Sequence, residues 1–231
     1  MTEGAGVGDQ GSGSPGVHPL RAVLFDLDGT LVDSLDLIVA CWQHATETHL
    51  GYRIPREAVL PTIGRPLQAC LEELAPGRGA SLFATYLDYN ALHHDALVRL
   101  PAGTTAMLDA LHARGRRTGL VTAKRLSSAQ MAITRFDLSG LLDVVVTFES
   151  TERHKPEPDP VLFGCARLGL PPAAVAFVGD SVFDMQAGRA AGAVPVGVAW
   201  GADNPANLRE AGAVTVVADW DALLRWLDQA S

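Results

Sequence analysis

Lysine is almost missing from this chain: Lys124 and Lys155 are the only two among 18 basic residues, the other sixteen being arginines. Where arginine serves as well, this chain has used it, so the two lysines point to sites that need a compact ammonium rather than a planar fork. Positive charge is short altogether. The formal net charge of −8 argues against nucleic acid or an anionic membrane as partner, because both require a basic surface. Any anionic substrate must then be met by a few placed cations. Cysteine is scarce too: Cys41, Cys70 and Cys165 are odd in number and widely spaced, with no C-x-x-C pair, and read as buried thiols in a reducing compartment. No run approaches ~18 apolar residues, so no membrane span is expected. The N-terminus has no basic and apolar leader pattern, and the expected setting is cytoplasmic. The remaining composition, 48% hydrophobic and 19% charged over 231 residues, suits one large globular domain or two modest ones.

The chain is organised around residues 22–30, Ala-Val-Leu-Phe-Asp-Leu-Asp-Gly-Thr. Ala22 to Phe25 is an apolar run too short for a helix and reads as a buried strand. It ends in Asp26 and Asp28, and Gly29 lets the backbone turn so that both acids converge beyond the strand. Two acids held together need a cation or a shared proton. Taken alone, such a pair also fits a loop of solvated aspartates. A calcium loop fails on spacing, since it wants Gly and Glu where this chain has Leu31 and Leu37.

Residues 1–18 are Gly/Ser-rich and are expected to be a disordered tail. Gly6 to Gly11 matches G-x-G-x-x-G letter for letter but lacks the preceding strand and following helix that a dinucleotide site requires. After the first strand, Asp33-Ser34 reads as a helix N-cap. Leu35, Ile38, Val39, Trp42 and Ala45 recur at helical spacing until Gly51. Residues 34–100 read as nearly all helix, with His93-His94 on solvated surface. From Pro101 strands and helices alternate: strands end at Thr122, Thr147, Gly179, Val198 and Val217, with helices between them. Alternation with apolar, β-branched strands predicts an α/β, Rossmann-like, doubly wound parallel sheet. Residues 19–33 and 101–231 would form that core, and 34–100 a small all-helical second domain inserted after the first strand.

Ligands of open parallel sheets bind at the carboxyl ends of the strands. The first strand ends there in Asp26 and Asp28, and the next in Thr122, Ala123 and Lys124. Lys155 lies in the polar loop past the third, and Asp180, with Asp184 one turn on, follows the fourth. Carboxylates from two strands suit Mg²⁺. Thr122, Lys155 and the backbone amides after Asp26, that of Gly29 included, suit phosphate oxygens. A cation and donors around a free carboxylate fit attack on phosphorus to give an aspartyl-phosphate, with the second aspartate moving the proton.

These residues resemble the four motifs of the haloacid dehalogenase-like hydrolase superfamily: Phe25-Asp26-Leu27-Asp28-Gly29-Thr30, Thr122, Lys155-Pro156 and Gly179-Asp180-x-x-x-Asp184, over about residues 20–231. The resemblance implies Asp26 as nucleophile and Asp28 as general acid/base. It implies Mg²⁺ held by Asp26, the Asp28 carbonyl and Asp180 with Asp184 in support, and a phosphoryl group bound by Thr122 and Lys155. The 34–100 insertion resembles that family's helical cap. The dehalogenases proper lack an acid at the position of Asp28, so a phosphatase is expected. Gly64-Arg65-Pro66-Leu67, Val121-Thr122-Ala123-Lys124 and Lys155-Pro156-Glu157-Pro158 resemble the phosphoglycolate phosphatase branch and its pyrophosphatase-like relatives, many of which have Asn at the position of Ala123. Arg65 reads equally as cap surface or as a substrate contact, while Lys124 reads as functional. The expectation is a Mg²⁺-dependent phosphatase for a small phosphorylated metabolite, monomeric or weakly dimeric. A phosphomutase, a tailoring phosphatase for a larger sugar-phosphate conjugate, and a pyrophosphatase are the alternatives.

Overall fold

The computed structural model describes residues 19–230; the tail expected over residues 1–18 lies outside them. Six strands form one sheet, β1 (Ala22–Phe25), β2 (Arg117–Val121), β3 (Val144–Val146), β4 (Val175–Gly179), β5 (Val194–Val198) and β6 (Thr215–Val217), in the order β3-β2-β1-β4-β5-β6. Every pairing is parallel. β1 lies centrally, Phe25 opposite Leu120 on one side and Val178 on the other. All four of its residues are buried, as a strand covered on both faces demands. Its side chains alternate between two cores: Val23 and Phe25 join one cluster, Ala22 and Leu24 the other. The strand order reverses between β1 and β4, and a crevice is expected outside the carboxyl ends of those two strands.

Helices cover both faces of the sheet. α5 (Thr104–Ala113), α6 (Leu126–Arg135), α7 (Asp159–Leu168), α8 (Val182–Ala191), α9 (Pro205–Glu210) and α10 (Trp220–Gln229) follow in the second part of the chain. α10 starts at an N-cap, where the Asp219 side chain accepts from Ala222 N at 2.7 Å. It buries Trp220, Leu223 and Leu227, and the Trp220 indole donates to Thr104 Oγ1 on α5 at 3.1 Å.

Between β1 and α5 stand α1 (Leu35–Leu50), α2 (Arg56–Val59), α3 (Leu67–Leu74) and α4 (Gly79–Leu97). They form the helical cap, with α1 and α3 both packed on α4. α1 buries the expected stripe together with Cys41, and ends at Gly51, whose φ of 77° is the left-handed conformation that closes many helices. The region is not free of strand-like pairing, because Asp33 and Arg99 form an antiparallel bridge where the chain crosses into the cap and back. Two local expectations fail. Ser34 makes no side-chain cap on α1; its hydroxyl is drawn instead to Asp28. His94 is buried rather than solvated, its Nδ1 2.8 Å from Asp95, and the His93 ring packs against Tyr89 at a tilt of 34°. All three cysteines are buried and free. Among the described residues no helix is long and apolar enough to cross a membrane.

Candidate active site

Beyond Phe25 the chain turns at once. Gly29 N donates to Val32 O at 2.8 Å and Val32 N to Leu27 O at 2.9 Å, with Gly29 at a φ of 75°. A β-carbon at Gly29 would stand 2.2 Å from Asp180 Oδ2, so only glycine lets this turn lie against the acid arriving from β4. Gly29 thus packs beneath the acids and is not among the residues lining the cleft described below.

Asp26, Asp180 and Asp184 are buried, and one carboxylate oxygen from each lies within 4.8 Å of the others. At that separation each pair of unit charges repels by about 3 kcal/mol or more, taking an effective dielectric of about 20. Against these three acids stands Lys155, also buried, with Nζ 2.9 Å from Asp26 Oδ1 and 2.6 Å from Asp184 Oδ1. Burial works against its charge, but Asp184 and Asp26 outweigh it and raise the ammonium above its ordinary range. One ammonium cannot balance three carboxylates. Burial, only partly opposed by Lys155 and reinforced by Asp184 and Asp28, lifts Asp26 from 3.8 to about 7. Burial, reinforced by Asp26 and Asp184, lifts Asp180 well above its ordinary value.

Each acid is held. Asp180 accepts from Thr30 Oγ1 at 2.9 Å and from Ala202 N at 2.7 Å. Asp184 accepts from Ser181 N and Oγ at 3.0 and 2.6 Å, locking the first turn of α8. Asp26 differs: its Oδ1 is buried without a hydrogen-bond donor of good geometry, the contact with Lys155 being an ion pair. A buried oxygen with free lone pairs in an all-oxygen cluster of excess negative charge fits a hard cation such as Mg²⁺.

Asp28 is not part of this trio. Its carboxylate accepts from Ser34 Oγ and pairs with Lys124 Nζ, so the expectation of Asp28 as a metal ligand rests on its backbone carbonyl. The two acids therefore stand in separate environments, one facing the trio and one facing a hydroxyl and an ammonium. Thr122 follows β2, its N donating to Val146 O at 2.9 Å, while its Oγ1 accepts from Lys124 N at 3.2 Å.

Between these strand ends and the cap lies a cleft of about 810 Å³, counted out to the solvent at its mouth, touching Asp26, Asp28, Thr122, Ala123 and Lys124 on the core side. Arg65 lines it from the cap, with Nη2 2.6 Å from Glu73 Oε1. Three features here escaped the sequence reading. Arg125 ties cap to core, its guanidinium 5.2 Å from the Phe83 ring of α4 and 5.3 Å from Phe148, and donating to Gln68 on α3 at 3.3 Å. The loop after β5 buttresses Asp180 through Ala202 N, while Asp203 accepts from Val182 N at 3.0 Å. Asp203 had a signal, since it follows a strand end of the same sheet. Finally, the cap loop touches the core at Gly64, whose φ is 93° and where a β-carbon would stand 2.6 Å from Ser181 Oγ.

That contact sets an expectation. Gly64→Ala forces Ser181 aside, and with it the bonds that hold Asp184, so kcat/KM should fall roughly ten- to a hundredfold. Gly51→Ala is the control, because Gly51 has a similar φ of 77° with nothing within 4 Å of an added β-carbon. Steady-state kinetics on both variants decides the matter; equal losses would make backbone strain, not the Ser181 contact, the cause.

The model of the haloacid dehalogenase-like hydrolase family matches residues 23–198, from within β1 to the end of β5. The chain belongs to this family. Pyrophosphatase PpaX of Bacillus velezensis is 35% identical over 181 residues, which make up 78% of this chain and 84% of that one. Among solved structures, a hydrolase from Pseudomonas syringae superposes with a TM-score of 0.81 at 26% identity, covering 90% of this chain and 98% of that one. A HAD family hydrolase from Deinococcus radiodurans R1 with bound phosphate and sodium superposes at 0.72 with 27% identity, over 92% and 96%. The protein is an enzyme, a phosphatase of the haloacid dehalogenase-like family.

Proposed function

We propose that this phosphatase hydrolyses a small-molecule phosphate monoester in a Mg²⁺-dependent reaction through an aspartyl-phosphate on Asp26. The observation that carries the reading is the split between the two acids: Asp26 offers an unbonded oxygen beside Lys155, and Asp28 is held apart by Ser34 and Lys124. In the first step an Asp26 oxygen attacks phosphorus, the ester P–O bond breaks, and Asp28 gives its proton to the departing alcohol oxygen. In the second, Asp28 takes a proton from water, the water oxygen attacks phosphorus, and the bond to Asp26 breaks to release inorganic phosphate. Thr122 and Lys155 hold phosphoryl oxygens, and Arg65, Ala123 and Lys124 face the leaving group from the cleft. Gly29 contributes its close turn and not a phosphate-binding amide, because its N–H is spent on Val32 O. Asp26, Asp180 and the Asp28 carbonyl, with Asp184 in support, would hold Mg²⁺, which would supply charge neutralisation to the phosphoryl group and the clustered acids. The cap of residues 34–100 closes over the core to exclude bulk water. Three buried free thiols fit a cytoplasmic setting.

Phosphate release from a panel of monoesters, with Mg²⁺ and with EDTA, tests the reading: release should require both the metal and Asp26, and metal-independent release would overturn it. Pyrophosphate is the second substrate reading, favoured by the name of the Bacillus velezensis relative, and belongs in the same panel.

Metal binding should also report on the acids. In the folded protein Asp26 keeps its proton up to about pH 7, against 3.8 ordinarily. Between those values the folded state binds more protons than the unfolded one, so this group's contribution to stability declines as pH rises. Mg²⁺ replaces those protons, so the rise in melting temperature on adding Mg²⁺ should grow from about pH 5 to about pH 7.5. A Mg²⁺ shift that is flat or shrinks over that range would count against the trio as the binding site.

A further inference from the structure

We infer that the cap side of the cleft receives an uncharged, apolar alcohol body, so that the preferred ester is the phosphate of a hydrophobic alcohol rather than pyrophosphate or an acid-bearing ester such as phosphoglycolate. This rests on the phosphatase reading and deepens it.

Opposite the acids, the cleft is walled by Trp42, Ile63, Leu67, Phe83, Tyr86 and Leu87. They come from α1, the loop before α3, α3 itself and α4, so the cap's helices converge their apolar side chains on the space where a leaving group must lie. An anionic leaving group would need a cation there, and the cleft's three cations are already engaged. Arg65 is bound to Glu73 at 2.6 Å, Lys124 is paired with Asp28, and Arg125 lies against Phe83 and Phe148 and bonds to Gln68. Drawing off Lys124 strips the largely buried Asp28 of its partner, and seating a second negative charge among apolar walls without a partner is unfavourable. An apolar body meets neither obstacle and gains by leaving water. The cleft also offers a polar handle. Asn90 is buried and lines the cleft, and its side chain makes only a weak N–H···S contact, 3.9 Å to Cys41. A hydroxyl or amide on the body would meet it.

The test is kcat/KM on phenethyl phosphate, phosphoglycolate and pyrophosphate with saturating Mg²⁺, and Asp26→Asn as blank. Phenethyl phosphate is an alkyl ester like phosphoglycolate, so an activated aryl leaving group does not enter the comparison. It should exceed both others by at least about tenfold, as the burial of a few methylene equivalents supports. Leu87→Lys, which sets a cation in the half-buried wall, should cut that ratio at least about tenfold. Inhibition of the wild-type enzyme needs no variant: phenethylphosphonate should compete at least about tenfold more tightly than methylenediphosphonate. Asp26-dependent turnover in which phosphoglycolate or pyrophosphate equals or exceeds phenethyl phosphate overturns the inference and leaves the phosphatase reading standing. Absence of Asp26-dependent phosphate release from every ester overturns the phosphatase reading, and the inference with it.

Discussion

Asp26→Asn should lose at least about 10⁴-fold in kcat, comparable with removal of a nucleophile elsewhere. The amide keeps the shape of the carboxylate but not its nucleophilicity, and no neighbouring acid replaces it: Asp180 is engaged by Thr30 and Ala202 and Asp184 by Ser181 and Lys155. The loss should come without unfolding. Asp26 is a buried acid whose ionisation is opposed by its surroundings, hence its rise to about 7, and Lys155 keeps Asp184 at 2.6 Å as its partner. The melting temperature of the metal-free variant should therefore equal or exceed that of the wild type above neutral pH. Phosphate release and a thermal melt on the same preparation separate lost chemistry from lost fold; an inactive variant that melts much earlier would mean that Asp26 supports structure instead.

Asp28→Asn should behave differently because Asp28 serves the proton and not the bond to phosphorus. On alkyl esters, whose alkoxide cannot leave unprotonated, turnover should fall about 10²- to 10⁴-fold. On para-nitrophenyl phosphate the phenolate leaves unaided, so the first step survives while the second, deprived of its base, does not. The expected trace is a burst of nitrophenolate, close to one equivalent per enzyme, followed by a slow phase. The contacts of Asp28 make this variant mild. An asparagine oxygen still accepts from Ser34, and Lys124, only partly buried, regains water when its partner loses charge. Equal losses on both esters with no burst would remove Asp28 from proton transfer.

How far the sequence carried these conclusions depended on the kind of interaction. The four apolar residues of β1, broken by acid and glycine, signal a buried strand and a turn within nine residues. The later alternation of strand and helix signals the parallel sheet, because burial on both faces leaves few other patterns. Lys155 stood out by scarcity, and the fold sets it between Asp26 and Asp184. Ser34 did not stand out. A serine ahead of a helix reads as a cap, and only the return of the chain after Gly29 brings Asp28 close enough to take its hydroxyl. His94 was misread for a similar reason, since its burial against the rest of the cap is set by helix packing and not by its neighbours in sequence. The approach of Gly64 to Ser181 and the span of Arg125 from Phe83 to Phe148 depend on how the cap seats on the core. Helical periodicity cannot show that. Nor can it tell an apolar side chain that fills a core from one that walls a cleft, so Trp42, read only as part of a helical stripe, gave no sign that it lines the cleft.

The most direct test is to trap the intermediate. Asp28→Asn, mixed with para-nitrophenyl phosphate and Mg²⁺ and quenched in acid during the slow phase, should carry a single phosphoryl group that hydroxylamine removes, as an acyl phosphate requires. Peptide mass spectrometry should place it on Asp26. A phosphoryl group on any other residue, or a phosphate-free enzyme after a full burst, would contradict Asp26 as the group that attacks phosphorus.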